Sequence, residues 1–183
     1  ICKKSLCVNK APFYLFNDSY SNFECIIEKL GIRQVSGVLL DLGLSSLQLD
    51  SSSRGFSYKI NAKLDMRFDL SQKSSAYHII NQTPYNDLAD LIFNNSNERR
   101  SRIIAKKIID MRPLNTVFDL VEAIRRSTPP NYRNRTIARV FQSIRIAVNH
   151  ELDSLDKILS SFYEKLTNGG RIVIISFHSI EDR

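Results

Sequence analysis

The sequence predicts an α/β fold with a parallel sheet, and three observations carry that expectation. The apolar run Ile172-Val173-Ile174-Ile175 ends in Ser176, Phe177, His178, Ser179, Ile180, Glu181, Asp182 and Arg183, so a buried strand leads into a dense polar cluster. A second such edge lies upstream, where Gly37-Val38-Leu39-Leu40 runs into Asp41 and a polar stretch reaching Asp50. Ahead of it, strand, helix and strand follow with short connections, the order of a parallel sheet with helices on its faces. Parallel strands read as continuous apolar runs because both faces are covered, and ligands bind beyond their carboxyl ends. Two strand ends therefore aim at one site.

The elements follow in order. Ala11-Pro12-Phe13-Tyr14-Leu15-Phe16 reads as a strand closed by Asn17-Asp18-Ser19. Phe23, Ile26, Ile27 and Leu30 keep helical spacing up to Gly31, a helix stop, and the next strand covers Val38 to Asp41. From Ser46 to Asp69 there is little periodicity, which predicts an ordered loop. Thr83-Pro84 places a capping residue before a proline at the first helical position, ahead of Leu88, Leu91 and Ile92. Glu98 to Met111 carries Ile103, Ile104, Ile108 and Ile109. Thr116 and Asp119 form a capping box that opens the helix of Leu120, Val121 and Ile124, and Pro129-Pro130 ends that stretch. The last helix is predicted to be the longest, with Phe141, Ile144, Val148, Leu152, Leu155, Leu159, Phe162 and Leu166 as one core-facing stripe and Gly169-Gly170 as its stop. Beside the stripe, Gln142, Arg145 and Asn149 form a polar row. Residues 56–139 thus read as a helical insertion in an α/β sheet formed by 1–55 and 140–183.

Composition narrows the class. No stretch approaches the roughly 20 apolar residues of a membrane span, and no signal peptide opens the chain, so a soluble intracellular protein is expected. Cys2, Cys7 and Cys25 are odd in number and lack metal-ligand spacing with His78, His150 or His178, which points to inert thiols in a reducing compartment. Residue 1 is isoleucine and the last residue follows a strand terminus directly, so the chain reads as a fragment. The net charge of +7 is localised: residues 97–139 hold eleven Lys/Arg against four Asp/Glu, and the remainder sums to zero. That is the footprint of a phosphate-backbone partner or of a solvated helical surface.

These residues suggest a nucleotide-like ligand over the sheet and nucleic acid on the helical module. Asp41 can accept hydrogen bonds from a ligand amine or hydroxyl, and Gln48 can donate and accept. His178 reads as a base, an RNA contact or a core histidine. Neither a Gly-x-Gly-x-x-Gly nor a Walker loop is present, so the residues alone do not specify a cofactor.

Five ordered blocks between residues 39 and 183 resemble those of the RsmH (MraW) family of ribosomal RNA methyltransferases. They are Leu39 to Ser46 with Gln48-Leu49-Asp50; Arg54-Gly55-Phe56-Ser57; Leu64-Asp65-Met66-Arg67; Phe141-Gln142 with Arg145-Ile146, Asn149 and Glu151-Leu152; and Gly169-Gly170-Arg171 with Ser176 to Arg183. Departures occur at Leu47, at Asn61-Ala62-Lys63, at Asn95-Ser96-Asn97-Glu98-Arg99 and at Arg135-Thr136-Ile137-Ala138-Arg139, which keeps only its final arginine.

The resemblance implies a Rossmann-like, S-adenosylmethionine-dependent methyltransferase interrupted by an all-helical RNA-recognition insertion. It implies methyl transfer to N4 of a cytosine in small-subunit (16S) ribosomal RNA near the decoding centre. Tyr20, Asp41 and Gln48 then stand at cofactor-contacting positions, and His178, Asp65 and Asp182 are candidate catalytic acceptors for the amine protons. Arg54, Arg67, Arg99, Arg125, Arg126, Arg139, Arg145 and Asn149 are candidate RNA contacts. No metal is implied; the partner is the ribosomal subunit, a homodimer is compatible, and the compartment is the cytoplasm, or the mitochondrial matrix in a eukaryote. In this family the glycine-rich cofactor loop lies ahead of the position of residue 1, so this chain alone is expected to be inactive. The alternatives are a non-catalytic RNA-binding remnant and, further off, an enzyme acting on DNA.

Overall fold

The structure, a computed structural model, describes residues 13–45, 54–178 and 180. A 3-10 turn at Tyr20–Asn22 leads into helix α1 (Phe23–Lys29), and strand β1 follows at Val35–Asp41. Then come helices α2 (Ala76–Gln82), α3 (Tyr85–Ser96), α4 (Ser101–Asp110), α5 (Val117–Ser127), α6 (Arg133–Asn149) and α7 (Glu151–Ser161), and strand β2 (Leu166–Ile175). The two strands pair in parallel, with Val38 opposite Ile172 and Asp41 opposite Ile175. The Leu42 N–H extends the ladder by donating to the Ile175 carbonyl at 3.1 Å. The carboxyl ends of β1 and β2 therefore lie side by side, as the sequence predicted.

Two apolar clusters organise the chain. One is built on the sheet: Val38, Leu40 and Leu42 pack with Leu155 and Ile158 of α7, and Tyr20, Phe23, Phe162 and Ile172 close around them. The other is helical and extends from Phe56 to Val148, with Ile80, Leu88, Ile92, Ile104, Ile108, Leu120 and Ile124 fully buried. At roughly 1.5–3 kcal/mol for each large aliphatic removed from water, that set is ample to hold short helices together. The Thr116–Asp119 box is formed, the Asp119 N–H meeting Thr116 Oγ1 at 3.3 Å and the Thr116 N–H meeting Asp119 Oδ2 at 2.8 Å. His78 does similar work for α2, where its Nδ1 lies 3.2 Å from the Ser75 amide.

Several sequence expectations change. Phe13 to Phe16 form no strand; they are exposed and have no ladder partner among the described residues. The single long last helix is two helices, broken at His150, whose φ of +51° is left-handed. Gly169 and Gly170 do not stop a helix but lie inside β2. Among the described residues the sheet is covered on one face: alternation buries Val38 and Leu40 under α7, while Leu39, 66% exposed, and Val173 point the other way. Helix α6 packs Ile137, Val140, Phe141, Ile144 and Val148 into the helical cluster. Cys25 is an exposed free thiol. Among the described residues no helix is long and apolar enough to cross a membrane.

Gly55 locks the loop to the helical cluster. Its φ is +71°, and a Cβ there would run into the Lys63 carbonyl oxygen and come within 3.2 Å of Val117 Cγ2. Gly31 has a similar φ, +69°, but open space around it. Left-handed strain alone costs about 1–3 kcal/mol, at the low end for alanine, and forced overlap adds about 1–3 more. Urea unfolding of Gly55→Ala is expected to show about 3 kcal/mol of destabilisation, with Gly31→Ala losing only about 1. Equal losses would mean that the overlap at Gly55 relaxes freely.

Candidate functional site

The end of β1 is where the two clusters meet. Leu42 is buried with the sheet cluster, and Leu44, two residues later, packs against the helical one. Asp41 is exposed at this edge. Gly43 turns the chain with φ +93°, and its Cα side faces the Phe177 ring at a distance where a Cβ would just make contact, 3.5 Å. The tail of β2 is thereby drawn over the end of β1. His178 is half-buried there, with both ring nitrogens screened from solvent. Regular strand ends at Ile175, so β alternation does not set the relative directions of Ser176 and His178, as the sequence had suggested. Gln48 and Asp182 lie outside the described residues, as do Ser179 and Glu181.

A second group converges on the break between α6 and α7. Tyr20 packs against the sheet cluster and donates its hydroxyl to the Glu151 carbonyl at 3.2 Å. The Glu151 carboxylate, at the start of α7, takes a two-point grip from Arg145: Nε to Oε1 at 2.8 Å and a terminal nitrogen to Oε2 at 3.0 Å. The side chains are only 14% and 9% exposed. Asn149 accepts from the Phe68 N–H at 2.7 Å and donates to the carbonyls of Met66 (2.8 Å) and Arg145 (2.9 Å). Arg145 and Asn149, expected as RNA contacts, are part-buried and make these hydrogen bonds within the protein.

Asn149 reaches the loop that carries Asp65. The loop is tightly wound: Met66 is left-handed with φ +58°, and its N–H donates to the Arg54 carbonyl at 2.8 Å. Asp65 is clasped by Arg67 through Nε to Oδ1 at 2.7 Å and a terminal nitrogen to Oδ2 at 3.0 Å. Arg67 also donates to the carbonyls of Leu70 (3.1 Å) and Gln72 (2.6 Å), so it too works inside the loop. Its guanidinium hydrogen bonds hold the Asp65 carboxyl below the ordinary carboxylate range, against the opposing effect of partial burial. Asp65 is an ionised acceptor and a weak base. Arg54 lies against the same loop, donating to the Phe68 carbonyl at 3.3 Å.

The basic segment divides into spent and offered cations. Arg112 is held by the carbonyls of Ile80 (2.7 Å) and Thr83 (2.6 Å), and Arg139 reaches the buried Glu98 at 3.4 Å. Arg126 is exposed but paired with Glu122 at 2.8 Å. Arg99, Arg100 and Arg135 line an open recess of about 830 Å³ with Phe93 and Tyr132 on its walls, and the Glu98-paired Arg139 lines it too. Arg125 lines a second hollow of about 780 Å³ with Tyr58, Lys59 and Phe118. Sequence reasoning missed Arg100, Arg135 and Tyr132, and gave no role to Glu98 or Glu151. The signal was present for Tyr132, an aromatic between Pro129-Pro130 and an arginine-rich helix start.

The sequence profile of the MraW methylase family matches residues 1–183. The chain belongs to the MraW methylase family. It is 46% identical over 188 aligned positions to a protein of Kosmotoga olearia named ribosomal RNA small subunit methyltransferase H, covering all of this chain and 63% of that protein. Proteins of the same name from Thermosipho africanus (44% over 173 positions, 92% of this chain and 60% of the relative) and Mesomycoplasma hyopneumoniae (44% over 166, 90% and 56%) are similar to it. The chain spans about three-fifths of the length of these curated relatives.

In this MraW methylase chain, blocks far apart in sequence meet. Leu64 to Arg67, Arg145, Asn149 and Glu151 are joined by the hydrogen bonds above, and Arg54 supports the same loop. Two tests follow from the geometry. Arg145→Ala leaves the Glu151 carboxylate buried without its counter-ion, and chemical denaturation should show a loss of about 3 kcal/mol, against a smaller loss for Arg145→Ala combined with Glu151→Gln. NMR titration of Asp65 in Arg67→Ala should return its pKa towards 3.8. Because the folded pKa is lowered, the stabilisation from the Arg67 pair is complete above that ordinary value and disappears as pH falls through the lowered one.

Proposed function

We propose that this chain belongs to an S-adenosylmethionine-dependent enzyme that methylates N4 of a cytosine in small-subunit ribosomal RNA. The observation that carries this reading is 46% identity along the whole chain to a ribosomal RNA small subunit methyltransferase H. The geometry supports it, because a strand-end carboxylate, a tyrosine ring and an anchored acidic loop lie around the junction of the two clusters.

The donor set fits the cofactor. Asp41 offers an exposed acceptor for its hydroxyl or amine groups, and the Tyr20 ring, fixed through its hydroxyl to Glu151, supplies an apolar wall beside the same strand. Gln48 belongs to this set by its position in the motif. S-adenosylmethionine, when bound, supplies an electrophilic methyl carbon.

The protein's task lies with the amine. A cytosine exocyclic nitrogen is conjugated with its ring, so it must be gripped by its protons and aimed. Positioning of this kind is worth roughly 7–11 kcal/mol of barrier at best. Asp65, held ionised by Arg67, accepts a hydrogen bond from the amine without taking its proton early. As the nitrogen–carbon bond forms, the nitrogen becomes cationic and strongly acidic, so a weak acceptor suffices to receive the proton. His178 and Asp182, on the β2 tail, are the other acceptors in this proposal.

The helical cluster is assigned to RNA. Arginines beside exposed aromatic rings suit single-stranded RNA, whose phosphates pair with guanidinium and whose unstacked bases lie on rings. Arg99, Arg100, Arg135 and Tyr132 carry that role in the first recess, and Arg125 in the second. The enzyme would act where small subunits are assembled, in the cytoplasm or, in a eukaryote, the mitochondrial matrix.

The test is methylation of small ribosomal subunits by the intact protein, read by nucleoside analysis for N4-methylcytidine. Asp65→Asn should lower kcat by at least about tenfold with little change in melting temperature. Arg99→Glu with Arg135→Glu should weaken RNA binding and flatten its salt dependence, whereas Arg126→Glu, already neutralised by Glu122, should do much less. Methylation of another base or atom would overturn the reading.

A further inference from the structure

We propose that Asn149 is a positioning residue that latches the Asp65 loop to the cofactor side of the site. This rests on the methyltransferase reading above. One side-chain amide spans three backbone groups: Oδ1 accepts from the Phe68 N–H, and Nδ2 donates to the carbonyls of Met66 and of Arg145. Two of these groups lie in the loop, more than 80 residues away in sequence, and the third in its own helix. No backbone segment of α6 supplies such a set, since the other described loop bonds run to Arg54, Asn115, Ala76 and Tyr77.

The latch sits between two left-handed residues, Met66 in the loop and His150 immediately after it in sequence. Non-glycine residues held at positive φ store about 1–3 kcal/mol each and persist only where neighbouring groups hold them. Asn149 binds the carbonyl of one and directly precedes the other. Beyond His150, the Glu151 carbonyl receives the Tyr20 hydroxyl. A connected path therefore runs from Tyr20 through the helix break and Asn149 to Met66, with Asp65 adjacent. Asn149 touches no reacting atom in this scheme; it fixes where Asp65 stands relative to Tyr20.

The experiment uses Asn149→Ala and Asn149→Asp. In Asn149→Ala, hydrogen exchange at the Phe68 amide should accelerate at least tenfold, while the Ala76 and Tyr77 amides, which donate to the Asp65 and Leu64 carbonyls, stay protected. In Asn149→Asp the acceptor for Phe68 remains, but a carboxylate oxygen faces the Met66 and Arg145 carbonyls, so Phe68 stays protected while the loop loosens at Met66. In the intact protein both variants should lower kcat about 10- to 100-fold, with the KM for S-adenosylmethionine within about threefold of the parent. Adding Asn149→Ala to Asp65→Asn should cost little more, as expected of a residue that acts through Asp65.

Unchanged Phe68 exchange in Asn149→Ala would overturn the latch itself. Loosened exchange with full kcat would overturn its role in positioning while leaving the methyltransferase reading intact. Additive losses in the double variant would overturn action through Asp65. A parent protein that fails to methylate small subunits would instead overturn the enzyme reading on which the inference rests.

Discussion

A single left-handed residue, His150, lets one amphipathic stretch serve two different clusters. Residues 133–149 present Ile137, Val140, Phe141, Ile144 and Val148 to the helical cluster, and residues 151–161 present Leu155 and Ile158 to the sheet. The break at His150 separates the two sets, one on each helix, so each packs into its own cluster. Strain at a positive φ costs about 1–3 kcal/mol, and burying Leu155 and Ile158 returns roughly 1.5–3 kcal/mol each, so the break is favoured on balance.

The Arg145–Glu151 pair shows that the break is structural and not incidental. In a continuous helix these two residues would lie roughly 9 Å apart along the axis and about 120° apart around it, a poor geometry for a two-point contact. With the turn between them, guanidinium and carboxylate meet at 2.8 and 3.0 Å. The pair then holds the turn closed. Glu151 also begins α7, where a negative charge offsets the partial positive charge of unpaired N–H groups at a helix start. Desolvation works against any buried ion pair, so its value here is the geometry it specifies more than net stability.

Much of the fold was legible because it depends on local pattern. The two apolar runs ending in polar clusters became parallel neighbouring strands, and Thr116 with Asp119 became a capping box. The break was hidden because Phe141, Ile144, Val148, Leu152 and Leu155 keep a helical step across it, and hydrophobic spacing does not register a single residue that changes φ. Asn149-His150 followed by Glu151 and Asp153 held the weaker signal: residue types tolerant of positive φ, then acids suited to a helix start. The segment 13–16 failed in the opposite way. Its residues suit a strand, but strand propensity measures fit to a neighbouring ladder, and no described strand lies beside it.

The candidate site was legible as a set of residue types and not as a set of roles. Sequence marked Arg67, Arg139 and Arg145 as cations in motifs, and on that basis they looked available to RNA. What decides an arginine's role is the acid beneath it: Asp65, Glu98 and Glu151 lie within 2.7, 3.4 and 2.8 Å of these three. Arg99, Arg100 and Arg135 have no such acid among the described ion pairs and line the recess beside Tyr132. A surplus of positive charge thus separates into two populations with opposite consequences. Arg67 and Arg145 shape the loop and the helix break, so their loss acts through geometry; Arg99, Arg100 and Arg135 line the open recess, where charge is felt over a Debye length of about 8–10 Å and is weakened by salt. A paired arginine is cancelled by its own acid, so the uncompensated arginines are the ones whose charge would give a salt-dependent attraction for a polyanion.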